Sequence, residues 1–377
     1  EIDPGRGGGI VSLVDKRTGR ELVQPGRVAN DLVAHEEYPE LPGYGEGPWH
    51  ICTTGERKYA SLDYPARIEV EQTPVRVTLV SLSEHLGCKR RMKITLWTNT
   101  PRVDFETEIY DYSEADWLFK VHFPLNLPGG RPVYEVAGAA VSRTYCPGDQ
   151  DTKELPWTQD NAANHYVDLT VPLRLVGTVG IGGEEICRLS AGMAEIVCPS
   201  DREMSRGGPV DELLLALASR AVSATVTWPE YRRFGDIAWD SNVPDFRIVV
   251  GRPEENEFAR HVLGETGGTV REELEEWVGR HGWVVALLTG LDLGIPAETP
   301  IVLVWGEDEK AEASAMMHLA TQVRERGEIV GLVPAAMREQ ARGAEVGQGG
   351  VALLNAGTVS YCCYEDQTLT MSLMRSC

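Results

Sequence analysis

The sequence lacks a surplus of positive charge and lacks any long apolar run. Its 36 Lys and Arg residues face 57 Asp and Glu residues, which gives a formal net charge of −21. Because nucleic acid and anionic membranes repel an acidic surface, we expect neither as a partner. The longest apolar run, residues 283–288, is far shorter than the roughly 20 residues that span a bilayer.

The sequence also lacks closely paired cysteines and the common catalytic signatures. None of the eight cysteines stands in a CxxC pair, so no zinc ribbon or redox motif of that kind is present. Scattered thiols favour a reducing compartment, and we expect a cytoplasmic protein. The patterns GxSxG, HExxH, GxGxxG and GxxxxGK[ST] are missing as well. The sequence therefore predicts no catalytic residue and no metal ligand of its own.

What the sequence does contain is a long series of β-strand patterns. Residues 8–23 (GGIVSLVDKRTGRELV) predict a β-hairpin, since alternating β-prone residues flank a charged turn in which Gly19 can take a positive φ. Further alternating runs follow at spacings of about ten residues up to residue 175, with no helical pattern between them. This pattern predicts a mainly β protein built on a large antiparallel β-sandwich.

The pattern changes in the second half of the sequence. Helical and strand-like stretches alternate from about residue 177, which is typical of a smaller α/β domain. Short strand patterns return near the end. We therefore predict a β-sandwich at residues 1–176 and 346–377, interrupted by an inserted α/β domain at residues 177–345. Both ends of the sequence look cut from a longer chain.

Two groups of residues are candidates for binding. His35 and Glu37 share one face of a predicted strand, so an imidazole and a carboxylate could act together on a ligand. Tyr44, Trp49 and His50 belong to a loop rich in Pro and Gly, where aromatic rings can stack on a sugar. The alternative for the first group is an exposed strand end, and for the second a loop held by its own aromatic rings.

Several stretches together resemble the C-terminal β-domain of the α-mannosidases of glycoside hydrolase family 38. The residues that carry the first match are Gly8, Ile10, Ser12, Leu13, Asp15, Lys16, Thr18, Gly19, Arg20 and Glu21, followed by Asn30 and Leu32. Similar stretches follow in the same order at residues 103–109, 118–124, 134–143, 166–169 and 350–376. The resemblance covers residues 1–170 and 346–377, and it does not extend to the inserted domain.

The resemblance implies a fold, an activity and several partners. It implies a galactose-mutarotase-like supersandwich that belongs to a retaining exo-α-mannosidase, an enzyme that removes terminal α-mannosyl residues from mannose-containing oligosaccharides. The zinc ion and the Asp nucleophile of the complete enzyme are then expected in an N-terminal catalytic domain of the same protein, and the enzyme can form a homo-oligomer. Arg143, at the family's Arg position, becomes a candidate substrate contact. The alternative is a stand-alone carbohydrate-binding or aldose-epimerase-like sandwich.

Overall fold

A computed structural model of the chain describes residues 1–39, 53–127, 129–142, 163–180, 183–199, 208–230, 244–293, 298–342 and 368–372. Strands outnumber helices in these ranges, and most of the sheets are antiparallel, so the mainly β prediction is confirmed. The described residues form two compact units. The first holds residues 1–39, 53–127 and 368–372, and the second holds the others.

The first unit is almost entirely β. Its strands up to residue 127 are β1 (Ile2–Asp3), β2 (Gly9–Ile10), β3 (Val14–Asp15), β4 (Arg20–Glu21), β5 (Asp31–Glu37), β6 (Thr53–Tyr59), β7 (Arg67–Gln72), β8 (Arg76–His85), β9 (Cys88–Trp97), β10 (Val103–Tyr110) and β11 (Trp117–Pro124). A 3-10 turn (Pro4–Arg6) and the short helix α1 (Ala60–Asp63) lie between them.

The second unit mixes strands and helices. Its strands are β12 (Arg131–Val136), β13 (Ala139–Ser142), β14 (Val167–Thr170), β15 (Leu173–Thr178), β16 (Glu185–Ala191), β17 (Met193–Val197), β18 (Ser223–Thr227), β19 (Phe246–Val250), β20 (Trp283–Leu291), β21 (Glu298–Gly306) and β22 (Glu328–Leu332). Its helices are α2 (Pro209–Ala218), α3 (Glu257–Thr266), α4 (Gly268–His281), α5 (Glu309–Arg326) and α6 (Arg338–Arg342), with a 3-10 turn at Ala335–Met337. A last strand, β23 (Thr368–Ser372), belongs to the first unit.

Two antiparallel sheets build the sandwich of the first unit. Their strand orders are β10-β9-β8-β7 and β23-β11-β5-β6. Leu32, Val121 and Phe123 from one sheet pack with Ile94 from the other in a single buried apolar cluster. On the opposite face of the first sheet, ion pairs such as Lys93–Glu106 (2.6 Å) line neighbouring strands. The strands of the first sheet therefore alternate between apolar residues inside and charged residues outside, as a half-solvated sheet requires.

The opening stretch differs from the predicted single hairpin. Its first strand is interrupted: β2 pairs with β1, whereas only β3 pairs with β4. The Glu21 carboxylate explains the interruption, because it accepts hydrogen bonds from the backbone N–H groups of Leu13 (2.8 Å) and Val23 (2.9 Å) and from the Ser12 hydroxyl (2.6 Å). The last backbone bond of the hairpin runs from the N–H of Leu22 to the carbonyl of Leu13 (2.9 Å), and beyond it these side-chain bonds take the place of strand pairing. The turn itself is as predicted, with Gly19 at φ 71°.

The second unit is a three-layer α/β structure. Its main sheet has the order β16-β15-β22-β20-β21-β19-β17-β18. Neighbouring strands in this order are parallel, except that β16 is antiparallel to β15 and β20 is antiparallel to β21. On one face α3 places Phe258 against Arg247, at 5.3 Å between the guanidinium carbon and the ring centre. Arg247 is in register with Ile301, so these two residues lie on the same face of the sheet. Gly306 is five residues further along β21 and therefore lies on the opposite face, because successive residues of a strand alternate between faces. A side chain at Gly306 would meet Glu312 of α5, which places α5 on that opposite face.

The observed division of the chain does not follow the boundary that the sequence predicts at residue 176. The compact units divide after Leu127, and β15 crosses the predicted boundary. Buried contacts at long sequence separation explain the difference. Arg131 forms an ion pair with Asp245 (3.0 Å), and the Ser190 hydroxyl donates to the carbonyl of Gly129. A continuous run of strand patterns gives no sign of such contacts.

Candidate functional site

One face of the sheet β23-β11-β5-β6 carries polar side chains although it is buried. In β5, Leu32 points into the sandwich core, so Asp31, Val33 and His35 point to the other side. Val33 is in register with Lys120 of β11 and with Tyr59 of β6, which brings the polar residues of three strands together. We call this set the polar face: Asp31, His35, Arg57, Tyr59, Lys120 and His122.

The two histidines of the polar face contact each other. The Nε2 atoms of His35 and His122 lie 3.4 Å apart, and the ring centres are 5.6 Å apart. The Tyr59 ring meets His122 edge-on at 6.2 Å, and the Arg57 guanidinium lies 5.8 Å from the centre of the Tyr59 ring. His35 is 1% exposed and His122 is 7% exposed. Imidazoles, a phenol ring and a guanidinium thus form one continuous group.

Burial and positive neighbours keep His122 neutral. The pKa of His122 is lowered to about 3, first by burial and then by the positive charges of Lys120, Arg57 and Arg27. At neutral pH its ring therefore has one N–H donor and one bare nitrogen acceptor. Lys120 is itself 3% exposed, so this positive charge is held close to the ring.

Asp31 of β5 is the register partner of His122, and its pKa is also shifted. Its carboxylate accepts hydrogen bonds from the backbone N–H (3.0 Å) and the hydroxyl of Ser61. Burial raises the pKa of Asp31 to about 6, although the Ser61 hydrogen bonds and the charge of Arg90 oppose the change. Arg90 donates in turn to the carbonyl of Gly7. This network ties the opening segment to β5, α1 and β9.

The polar face suits hydrogen bonding to hydroxyl groups better than cation binding. The neutral imidazole of His122 and the hydroxyl of Tyr59 can each donate hydrogen bonds to hydroxyl groups and accept them. A zinc ion requires three or four ligands, and no group of three or more His, Cys, Asp or Glu residues comes together in the part of the chain that the structure describes. The positive charges beside His122 also oppose a divalent ion. The polar face therefore does not fit a zinc ion, and the family resemblance implies zinc in an N-terminal domain rather than in this chain.

The structure describes two of the six residues predicted to bind substrate. His35 lies in the polar face and is buried. Glu37 is half-buried at the end of β5, where the register with β6 shifts between His35 and Glu37. The other four predicted residues, Tyr44, Trp49, His50 and Arg143, lie outside the described residues.

Sequence reasoning missed five members of the polar face: Asp31, Arg57, Tyr59, Lys120 and His122. A signal for two of them exists, since Lys120 and His122 are polar residues two positions apart in a strand that is otherwise apolar. Such spacing places both side chains on one face. The contact between His35 and His122 depends on the pairing of β5 with β11, which no local pattern specifies.

The second unit holds buried charges of another kind. Arg247 forms ion pairs with both Glu195 and Asp292, and all three side chains are almost inaccessible to solvent. Asp245 pairs with Arg131 and accepts from the backbone N–H groups of Gly192 (2.7 Å) and Met193 (3.0 Å). Glu195 joins the neighbouring strands β17 and β19, Asp292 links β19 to the end of β20, and Asp245 links the main sheet to β12, so these carboxylates have a structural role.

Comparison with known families identifies the first part of the chain. The two-sheet sandwich and the motifs of the opening stretch are consistent with a domain found in glycoside hydrolases. Residues 3–170 match the model of the glycosyl hydrolases family 38 C-terminal domain, so this part of the chain is similar to that domain. A search of the curated proteins finds no match to the chain. No helix within the described ranges is long and apolar enough to cross a membrane.

Proposed function

We propose that this chain is the C-terminal β-sandwich region of a retaining exo-α-mannosidase. The observation that carries the proposal is the match of residues 3–170 to the family 38 C-terminal domain. The ordered motifs at residues 350–376, outside that match, support it. The substrates would be the terminal α-mannosyl residues of mannose-containing oligosaccharides.

In this proposal the reaction is completed by an N-terminal catalytic domain of the same protein. A retaining glycosidase uses two carboxyl groups about 5 Å apart, one as nucleophile and one as general acid and base. A zinc ion bound in that domain would supply Lewis acidity and hold sugar hydroxyls. The chain described here would form the scaffold beside that site and line part of it.

Burial decides which predicted residue could touch the sugar. His35 is 1% exposed, so we propose that it positions β5 rather than contacting substrate. Glu37 is half-buried at the end of the same strand, and its carboxylate could accept hydrogen bonds from sugar hydroxyls. In the complete protein, Glu37→Gln should then raise the KM for an α-mannoside more than it lowers kcat.

The proposal is tested by assaying two proteins on an aryl α-mannoside. The complete protein should hydrolyse the α-mannoside and leave the β-mannoside and the α-glucoside intact, whereas residues 1–377 alone should show no turnover. Turnover by residues 1–377 alone would contradict the scaffold role. Hydrolysis of the α-glucoside in preference to the α-mannoside would contradict the specificity.

A stand-alone sugar-binding sandwich is the second candidate, favoured by the grouping of Tyr59, Arg57 and His122 on one sheet. Titration calorimetry of residues 1–377 with mannose and galactose separates the two candidates. Millimolar binding that disappears in the Tyr59→Ala variant, but persists in a Tyr110→Ala variant of the exposed β10, would favour the second.

Light scattering of the complete protein gives the oligomeric state, for which we propose a homo-oligomer.

A further inference from the structure

Both units bury titratable groups, and in the first unit two buried histidines contact each other. His35 and His122 come from neighbouring strands and meet through their Nε2 atoms at 3.4 Å. One of the two nitrogens must carry the hydrogen and the other must accept it, so at least the accepting ring is neutral in this contact. It lies on the buried polar face, where a proton gained from solvent has little water to stabilise it.

We propose that the His35–His122 pair is an acid-sensitive lock that holds β5 to β11 at neutral pH and loosens the first unit when the surroundings become acidic. The inference does not depend on the proposed function. It concerns the stability of the sheet, whatever reaction the complete protein performs.

The groups around His122 decide the direction of the effect. Lys120 lies two residues away on the same strand, and Arg57 of β6 and Arg27 of the segment before β5 contribute further positive charge. Tyr59 of β6 meets the ring edge-on. From β5, His35 contacts the ring and Asp31 is its register partner. On the other side of β11, β23 pairs through its backbone. A positive charge on His122 would therefore face three cations.

The sign of the pH dependence follows from the folded and unfolded protonation states. Free histidine has a pKa near 6.5, and in the folded unit the pKa of His122 is lowered to about 3 by burial and by positive neighbours. Between these values the unfolded chain binds one proton more than the folded unit. Stability is therefore complete above pH 6.5 and falls as the pH drops towards 3.

Two other buried groups change how steeply the stability of the first unit depends on pH. The pKa of His85 is lowered to about 4, by burial and then by the charge of Arg90, so it adds to the loss in acid. The pKa of Asp31 is raised to about 6 by burial, so its folded form holds an extra proton between pH 6 and about 4 and opposes the loss. The contribution of His122 must therefore be isolated by substitution.

Hydrogen–deuterium exchange of residues 1–377 in peptides from β5 and β11 gives the required local opening constant. We would compare the wild type with His122→Gln and Asp31→Asn from pH 7.5 to 4.5, after correction for intrinsic exchange rates. The matched control is His281→Gln, an exposed histidine of the second unit. A group that titrates only on opening changes the opening constant by up to about tenfold per pH unit.

The lock predicts that His122→Gln makes the opening constant depend less steeply on pH, by up to about tenfold per pH unit. Asp31→Asn should make this pH dependence steeper, and His281→Gln should show the same pH dependence as the wild type. A wild-type slope retained in His122→Gln would overturn the proposal. If that variant does not fold, the rate of hydrogen–deuterium exchange at the C2 atom of the His122 ring is measured against pH in the wild-type protein instead. A ring that titrates between pH 6 and 7 in the folded protein would equally overturn the proposal.

Discussion

The two units of this chain bury charge in different ways. In the first unit, neutral histidines and a shifted carboxyl group lie behind a modest apolar cluster in a β-sandwich. In the second unit, buried arginines are matched by carboxylates, and helices cover both faces of an eight-stranded sheet. Neutral groups gain protons in acid, whereas matched ion pairs keep their charges over a wide pH range. The first unit should therefore be the acid-sensitive one.

The apolar interiors of the two units differ as well. The core of the second unit extends over the whole sheet and includes side chains from α2, α3, α4 and α5. The core of the first unit joins residues from β5, β9 and β11 with a few from the opening segments. Because stability grows with the apolar area removed from water, we expect the second unit to be the more stable at neutral pH.

The largest expected effect comes from breaking the buried charges of the second unit. Arg247→Leu would leave Glu195 and Asp292 buried without their shared cation, which typically costs about 3–5 kcal/mol. This loss of stability is measured by unfolding the protein in urea while hydrogen exchange in β17 and β19 is monitored. Arg326→Leu, at the exposed end of α5, is the control and should change little. A loss below 1 kcal/mol for Arg247→Leu would remove the contrast between the units.

A smaller effect is expected at the opening segment of the first unit. Gly8 has φ 69°, and a side chain there would collide with Ser81. A residue forced into this conformation costs about 1–3 kcal/mol, so Gly8→Ala should destabilise β8, the strand that carries Ser81, by at least that amount. Gly26→Ala is the matched control, since Gly26 has φ 80° but open space around it. Equal losses in the two variants would show that the collision has no effect.

The smallest expected effect lies at a helix end of the second unit. The Asp308 side chain accepts a hydrogen bond from the backbone N–H of Ala311 (2.8 Å) and caps α5. Asp308→Ala should cost about 0.5–2 kcal/mol, while Asp308→Asn should cost less because asparagine also caps. Thermal unfolding of the three proteins checks the order, and a larger loss for Asp308→Asn would refute the capping role.

Much of the local structure could be predicted from the sequence. The alternation in residues 67–110 specifies β7 to β10, and apolar spacing specifies α3, α4 and α5, since both signals arise within one element. Helix α2 was missed, because the run of leucines in Pro209–Ala218 hides its helical period. The polar face was only partly foreseen. His35 was a candidate on its own residue type, but its partner His122 is 87 residues away and the two meet only after the strands pair.

The same limit applies to the division of the chain. The family model matches residues 3–170, yet β12 to β14 join the compact unit that contains Asp245 and Ser190. Contacts across so many residues depend on the tertiary fold. The resemblance of motifs identified the family domain correctly, whereas it could not give the boundary between the two units.

The central claim is that the first part of this chain serves a retaining α-mannosidase. The most direct test is the anomeric form of the first product, followed by proton NMR while the complete protein hydrolyses an aryl α-mannoside. Double displacement at the sugar carbon retains configuration, so the account predicts α-mannose as the initial product, with β-mannose appearing only by slow mutarotation. Initial release of β-mannose, or no hydrolysis of the α-mannoside, would contradict it.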